Sequence, residues 1–520
     1  MSSIYINQLG YRPCDAKKAA FLHIEAQVSA HEDYSFCVIR QTDKKIVYKG
    51  ITNDPVKELA AMDTVRIADF SEFTEEGEYI VCAGSSEAIA SYPFIISKDP
   101  YKNLRKGLLE MFNYQKCGAD MDCGIWSHPA CHTAPAVIYG TDIKKDVSGG
   151  WHDAGDYGRY IVPASKAVAD LLLAHELSPN PDDNLLEIVW HEILWMQKMQ
   201  DEKSGGVYHK VTCEQFNALD EMPHEEHEEL IICPASTTAT AGFAAAMALA
   251  SRFYPDKKDA LVNAARRAWD WCMANKDIPG FENPPGIRTG GYSDDNYKDE
   301  LFWASCELFC ATLDEKYHDY IKSSELYTGL GWNNVGTYGI IAYLLHAKDN
   351  AQSVLKHRMV NTLISLCDDI LNKCINNPYG VSLGETYRWG SNMTVCNNAM
   401  TLLLGSRFSP NSLAYIEGAM EHFHYLLGRN SLSISFITGF GTNAAKNPHH
   451  RLSVAKGKTV PGMVVGGPCM HINRDPALNE FRTGYPPAKR YIDNVNSFAS
   501  NEVTIYWNSP AYFITAFLGF

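Results

Sequence analysis

Between Ser148 and Tyr160 the chain reads SGGWHDAGDYGRY, which sets Asp153 and Asp156 three residues apart among Gly149, Gly150, Gly155 and Gly158. Residues at that spacing share a face of a helical turn or a tight loop, so the two carboxylates are neighbours. Carboxylates that close resist ionising together unless each has its own partners. A solvated Asp/Gly turn would have a similar composition. The density of glycine argues for more, because backbone without Cβ atoms lets another group approach closely, as a substrate would.

Upstream lies CGADMDCGIWSHPACH, with Cys117, then adjacent Cys131 and His132, and His152 directly precedes Asp153. Thiolate and imidazole are the ligands of tetrahedral zinc, and four of them leave no open position. The expectation is a structural zinc held by Cys117, Cys131, His132 and His152, which would anchor the loop bearing Asp153. Cys123 or His128 could stand in for one of the four. Near the C-terminus, NSFASNEVTIYWNSP places Asn501 and Glu502 before an apolar helix; read alone, Glu502 is a first-turn partner of the helix dipole. In KNPHHRLS, His449, His450 and Arg451 form a donor-rich knot suited to sugar hydroxyls or to a carboxylate of the protein itself. Trp332, Trp389 and Trp507 are candidate platforms for a pyranose face.

Two kinds of element must position these groups. The first hundred residues hold short β-branched and aromatic runs such as YSFCVIRQ, KKIVYKG and GEYIVCAG between polar turns, which predicts an antiparallel β-sandwich. Beyond about Tyr101 the period becomes helical: in NLLEIVWHEILWMQKMQ, Leu185, Ile188, Val189, Ile193 and Met196 recur at spacings of three and four. About twelve such helices are expected. TATAGFAAAMALASRF is apolar nearly all round, as a helix buried on several sides would be, and a toroid of paired helices supplies such an inner ring. The chain divides into 1–98 and 99–520.

A net charge of −15 without a basic patch excludes nucleic acid and an anionic membrane as partners. No window approaches the roughly 18 apolar residues of a spanning helix. MSSIYINQLGYRP has neither a cationic leader nor an apolar run, and the fifteen scattered cysteines fit a reducing compartment, so a cytoplasmic location is expected.

Together INQLGYRP, MFNYQKCG, SGGWHDAGDYGRYIVP, GGVYHKVT, YKDELFWASCELF, YLLGRNSLSISFITGFG, NPHHR and YIDNVNSFASNEVTIYWNSP make the chain resemble glycoside hydrolase family 9, the inverting cellulases, in the members with an N-terminal immunoglobulin-like domain. The resemblance implies a mainly α protein, an (α/α)6 barrel preceded by an all-β immunoglobulin-like sandwich. It implies Asp156 as general base, Asp153 as holder of the attacking water and Glu502 as general acid. An inverting enzyme keeps base and acid about 6.5–9.5 Å apart to admit that water, a separation Glu502 can supply and the Asp153–Asp156 pair cannot. It further implies sugar contacts from His450 and Arg451, zinc at the Cys/His quartet, and calcium at Asp299 and Glu300, although Asn333 and Asn334 stand in GWNN where an acidic residue would be expected. The leading expectation is therefore an inverting hydrolase of β-1,4-linked cello-oligosaccharides or soluble β-glucan. The alternatives are an exo-acting β-glucosidase or exo-β-glucosaminidase, for which the acidic stretch FNALDEMPHEEHEEL offers groups toward an amine, and a carbohydrate-binding protein without catalysis.

Overall fold

In the computed structural model, which describes residues 3–23, 34–84, 87–278, 280–471, 475–481 and 484–520, the N-terminal strands form two facing sheets. One has the order β1 (Ile4–Tyr5), β3 (Lys18–Leu22), β7 (Asp63–Asp69), β6 (Val56–Glu58); the other runs β2 (Gly10–Tyr11), β9 (Phe94–Ile96), β8 (Gly77–Ala83), β4 (Ser35–Arg40), β5 (Ile46–Ile51). The two-residue period of a strand sorts side chains between faces. Phe36, Val38, Tyr79 and Val81 enter the sandwich core with Phe21, Ala68 and Phe94. Their neighbours Cys37, Ile39, Ile80 and Cys82 form a separate small cluster.

The rest is helical: α1 (Lys102–Tyr114), α2 (Ile161–Leu177), α3 (Leu185–Lys198), α4 (Thr237–Ala250), α5 (Lys258–Ala274), α6 (Lys298–Thr312), α7 (Glu315–Ser323), α8 (Gly336–His346), α9 (Ser353–Ile375), α10 (Ser391–Ser406), α11 (Ser412–Leu426), then short α12 (Arg451–Ala455) and α13 (Phe498–Asn501), and α14 (Ile505–Phe517). Six of them, α2, α4, α6, α8, α10 and α14, are buried nearly all round. Helices α1, α3, α5, α7, α9 and α11 bury one stripe and stand outside them. Helix α14 packs on both α2 and α10 and so joins the end of the inner ring to its beginning. This is the (α/α)6 barrel behind a β-sandwich that the sequence predicted.

Inside the ring sits a polar knot. Lys166 and Asp170 are fully buried one turn apart on α2, with Nζ 2.6 Å from Oδ2. Asp170 also accepts hydrogen bonds from Tyr338 of α8 and, at 2.7 Å, from Ser509 of α14. Burial pushes the Lys166 ammonium down and the Asp170 carboxylate opposes that shift. The pair persists because each charge has a partner and the carboxylate has further donors.

The INQLGYRP stretch is a docking strip. Asn7 Nδ2 donates to Tyr101 Oη at 3.0 Å and meets His424 Nδ1 at 2.9 Å, Gln8 N donates to the Leu427 carbonyl at 2.9 Å, and Lys18 pairs with Glu421 of α11. A five-stranded sheet of short strands lies over the barrel: β11 (Lys144–Lys145), β10 (Ala136–Ile138), β14 (Ile231–Ile232), β13 (Lys210–Thr212), β12 (Arg159–Tyr160). No described helix is long and apolar enough to cross a membrane.

Removing one partner of a buried pair leaves an uncompensated charge, so Asp170→Ala should cost about 3–5 kcal/mol. A clear fall in Tm by calorimetry is the expected reading, and the double change of Lys166 and Asp170 to Met and Leu should recover much of it.

Candidate active site

The carboxylate loop lies directly before β12, which leads into α2, and its backbone is held from several sides. Gln115, at the end of α1, donates through Nε2 to the carbonyls of His152 (3.0 Å) and Ala154 (2.8 Å). Asp153 N donates to the Gly158 carbonyl at 2.9 Å, and Ile505 N, at the start of α14, donates to the Asp153 carbonyl at 2.8 Å. At Gly155 a Cβ would lie 2.0 Å from the His449 carbonyl oxygen, so only glycine allows this approach. His449 in turn bridges to Glu502 in parallel β fashion and takes its N–H to the Asn501 carbonyl at 2.9 Å. Asp153 and Asp156, three residues apart, therefore share one site with the sequence-remote Glu502 at the end of the ring where the inner helices begin.

Each carboxylate has its own setting. Asp153 is buried; Oδ2 accepts from Tyr292 Oη, while Oδ1 has no partner in the protein. Burial, with Asp156 adding to it, holds Asp153 well above the ordinary carboxylate range. Asp156 is also raised by burial, but the Arg451 guanidinium and the Gly158 N–H, 2.9 Å from Oδ2, favour its anion. Glu502 is pushed well above the ordinary range by burial and then by the charges of Asp156 and Asp153; Arg451 and the Gly155 N–H oppose that shift only in part. Glu502 is pushed further than Asp156 and so keeps its proton to higher pH.

Arg451 is buried and braces the loop: Nη1 donates to the Gly155 carbonyl (3.0 Å) and Nη2 to the Asn217 carbonyl (2.8 Å). His450 sits otherwise than expected of a sugar contact. It is buried, its Nδ1 pairs with Ser453 Oγ at 2.8 Å and its Nε2 with Gln115 Oε1 at 3.0 Å, so both nitrogens are committed inside the protein. Burial pushes its pKa down to about 3, which keeps it neutral. The half-buried neighbour His449 ties only Nδ1, to the Val495 carbonyl at 2.6 Å. Trp507 is 1% exposed and packs under Gly390 and Gly466, so it is a wall of the barrel and not a platform. Trp389 is 38% exposed beside Phe498, and Trp332 meets Tyr292 edge to face at 5.3 Å. Sequence reasoning missed Tyr292, which stands in TGGYSDDN with no motif around it; its left-handed backbone (φ 47°) turns the ring toward Asp153, Tyr160 and Tyr506.

Cys117, Cys131, His132 and His152 converge beside this loop, all four donor atoms within 4.8 Å of one another. Cys123 and His128 lie outside that group. The Cys117 and Cys131 sulfurs are 3.9 Å apart, Cys117 Sγ is 3.6 Å from His132 Nδ1, Cys131 Sγ is 3.7 Å from His152 Nε2, and the two ring nitrogens are 3.4 Å apart. All the cysteines are free thiols. At the start of α6, Asp299 Oδ2 accepts from Val335 N at 2.8 Å, while Asp299 Oδ1, both Glu300 oxygens and Asp294 Oδ2 are buried without partners. Burial and mutual repulsion drive Glu300 well above its ordinary range. Asn333 and Asn334 are exposed and hydrogen-bond each other at 2.9 Å.

Leaving a buried acceptor without its donor costs about 1–3 kcal/mol, so Tyr292→Phe, which removes the donor to Asp153, should lower kcat about ten- to a hundredfold. KM should change little, and steady-state kinetics on a soluble glucan reads both.

Residues 101–515 match Glycosyl hydrolase family 9, and residues 1–88 match the Cellulase N-terminal ig-like domain. The chain is 34% identical to the Cellodextrinase of Butyrivibrio fibrisolvens, the match covering 99% of each. Among solved structures it superposes on AaCel9A in complex with cellobiose-like isofagomine with a TM-score of 0.91 at 36% identity, covering 99% of both chains. It also matches a Zn-binding triple mutant of the endoglucanase J30, with a TM-score of 0.88 at 31% identity, covering 97% of this chain and 99% of that one. With a barrel, a sandwich and a carboxylate loop of this build, the chain belongs to glycosyl hydrolase family 9.

Proposed function

We propose that the protein cleaves β-1,4-glucosidic bonds of cello-oligosaccharides or soluble β-glucan in a single displacement with inversion. The observation that carries this reading is the unequal setting of Asp156 and Glu502: both are buried and both feel Arg451 and a backbone N–H, but the charges of Asp156 and Asp153 add to burial at Glu502 and push it well above the ordinary range, while Asp156 is raised less. In this mechanism Asp156 takes a proton from water as the water attacks the anomeric carbon. Asp153 offers Oδ1, which no protein donor occupies, to the same water, while Tyr292 fixes its other oxygen. Glu502 delivers its proton to the leaving glycosidic oxygen. Trp389, Trp332 and His449 lie where sugar rings and hydroxyls would meet the protein; Arg451 acts by bracing the loop. The cellodextrinase name of a relative that spans the whole chain and the cellobiose-like inhibitor bound by another point to short glucans as substrate.

Both metal expectations belong to this reading. Tetrahedral zinc with bonds of about 2.3 Å to sulfur and about 2.0–2.1 Å to nitrogen sets ligand edges of about 3.8 Å for S–S, about 3.5 Å for S–N and about 3.3 Å for N–N. The separations of 3.9, 3.6, 3.7 and 3.4 Å lie within about 0.2 Å of these values. Cys117, Cys131, His132 and His152 would hold zinc as a closed structural centre, and the group would supply rigidity to the turn that presents Asp153. Asp299 and Glu300 keep buried oxygens without partners, the kind of ligand calcium takes, although among the described residues only the Cys/His quartet converges as a metal-holding group.

Glu502→Gln and Asp156→Asn should each lower kcat by about 10²–10⁴-fold, the usual contribution of a general acid or base. Proton NMR of the first product should show the α-anomer; an initial β-anomer would exclude a single displacement. The pH profile of kcat/KM should be a bell whose acidic limb reports Asp156 ionising and whose basic limb, set by the raised Glu502, lies above the ordinary glutamate range. Glucose as sole early product from cellopentaose would favour the exo alternative, and preference for glucosamine oligomers would favour the glucosaminidase.

Elemental analysis should find about one zinc per chain if the quartet is a structural centre. Calcium should raise Tm. Glu300→Gln should raise Tm in chelator, because it removes a buried charge that weakens the fold as pH climbs above the unfolded glutamate pKa, and should abolish the calcium increment. No calcium effect on Tm would remove that site.

A further inference from the structure

The connection from Cys213 to Leu230, between β13 and β14, has no helix or strand of its own among the described residues. Irregular connections of this length are uncommon in compact domains unless they serve function, and they hold a shape only where something fastens them. Three of the groups that fasten this one belong to the site. Arg451 Nη2 donates to the Asn217 carbonyl at 2.8 Å, Tyr157 Oη, next to Asp156, donates to the Glu221 carbonyl at 2.6 Å, and His132 Nε2 is 2.8 Å from Glu226 Oε2. The first two use the backbone of the segment; the third uses a side chain, and Glu226 is nearly buried.

The held segment faces Asp156. Between them lies a small cavity of about 10 Å³, room for about one water or one hydroxyl, lined by Asp156, Thr212, Thr289, Gln215, Phe216 and Asn217. The amide nitrogen and oxygen of Asn217 are both buried without a partner. Phe216 is 46% exposed and lies under the Arg451 guanidinium at 5.7 Å. An unpaired amide beside an exposed ring is the chemistry that grips a pyranose: hydroxyls pair with the amide and the apolar face lies on the ring.

We propose that Glu226 is a positioning residue that fastens the Cys213–Leu230 segment as a wall of the sugar site, with Asn217 and Phe216 as its contacts to the ring next to Asp156. The proposal rests on the reading of Asp156 as the base. The tautomer follows from the geometry: His132 Nδ1 faces the Cys/His cluster, so the Nε2 proton goes to Glu226, and a carboxylate on the far ring nitrogen is the usual way an imidazole ligand is oriented. Glu226 thereby joins the metal quartet and the sugar wall through one hydrogen bond. Its carboxylate is also committed there, which leaves it unsuited to pair with a substrate amine.

The test compares Glu226→Ala, Glu226→Gln and Asn217→Ala with the wild type on cellotetraose, with metal content and limited digestion by a glutamate-specific protease in parallel. Glu226→Ala should raise KM about tenfold or more while kcat stays within about threefold, because binding and not chemistry is lost. Digestion within the segment should quicken, with metal content unchanged. Glu226→Gln, whose amide oxygen still accepts from His132, should restore KM and protease resistance. Asn217→Ala, which leaves every tether in place, should raise KM without quickening digestion. An unchanged KM in Glu226→Ala, a loss confined to kcat, or a glutamine variant as impaired as the alanine variant would each overturn the proposal. If Glu226→Ala fails to fold, Glu226→Asp, one methylene too short to reach His132, is read by the same criteria. Asp156→Asn with near wild-type turnover would instead sink the reading beneath it, whatever the Glu226 variants show.

Discussion

The site depends on one close approach. Where Gly155 lies against the His449 carbonyl there is room for a hydrogen and for nothing larger. From that contact the other relations follow. Arg451, two residues beyond His449, donates to the Gly155 carbonyl from both its backbone and its side chain. His449 bridges to Glu502, and the Gly155 N–H reaches back to the Glu502 carboxylate. Three segments remote in sequence are thus locked by backbone groups, whose positions vary less than those of side chains. A methyl group at position 155 would part them and move Asp156 away from Glu502.

Glycine between the two aspartates was legible in the sequence as a permissive hinge, but the partner it admits was not, because nothing local encodes the His449 carbonyl. The same division holds elsewhere. Motifs singled out Asp153, Asp156, Glu502 and the Cys/His quartet, and the fold brings the first three to one site and the quartet beside it. Periodicity separated the ring's inner helices from its outer ones, because burial on every side suppresses polar residues, as in α4. What stayed hidden was direction. His449 and His450 are adjacent and identical in type, and only the tertiary position of Gln115 and Ser453 decides that His450 turns inward. Trp507 sits in a helix with no polar face, so its sequence could not distinguish a wall from a platform. Tyr292 reaches Asp153 only through a left-handed backbone that no pattern announces.

The sandwich is more than an appendage to this geometry. Asp63 at the start of β7 accepts from Tyr379 at 2.7 Å and pairs with Lys489, and the Ala488 N–H donates to the Ala60 carbonyl. Just beyond, Tyr491 Oη donates to Asn501 Oδ1 at 2.6 Å, beside Glu502. The first domain therefore grips the stretch of chain that leads to Glu502, and the docking strip at Asn7 and Gln8 fixes how that grip is oriented.

The six inner helices all begin at the carboxylate end of the ring, after the DAGD turn, β14, Tyr292, Trp332, Trp389 and Glu502 respectively. A helix carries roughly half a positive charge at its N-terminus. The mouth of the barrel is therefore a convergence of positive poles that favours negative charge at its centre. Burial works the other way on the three carboxyl groups and raises each of them, so the opening sets the pull of six helix ends against the cost of desolvation.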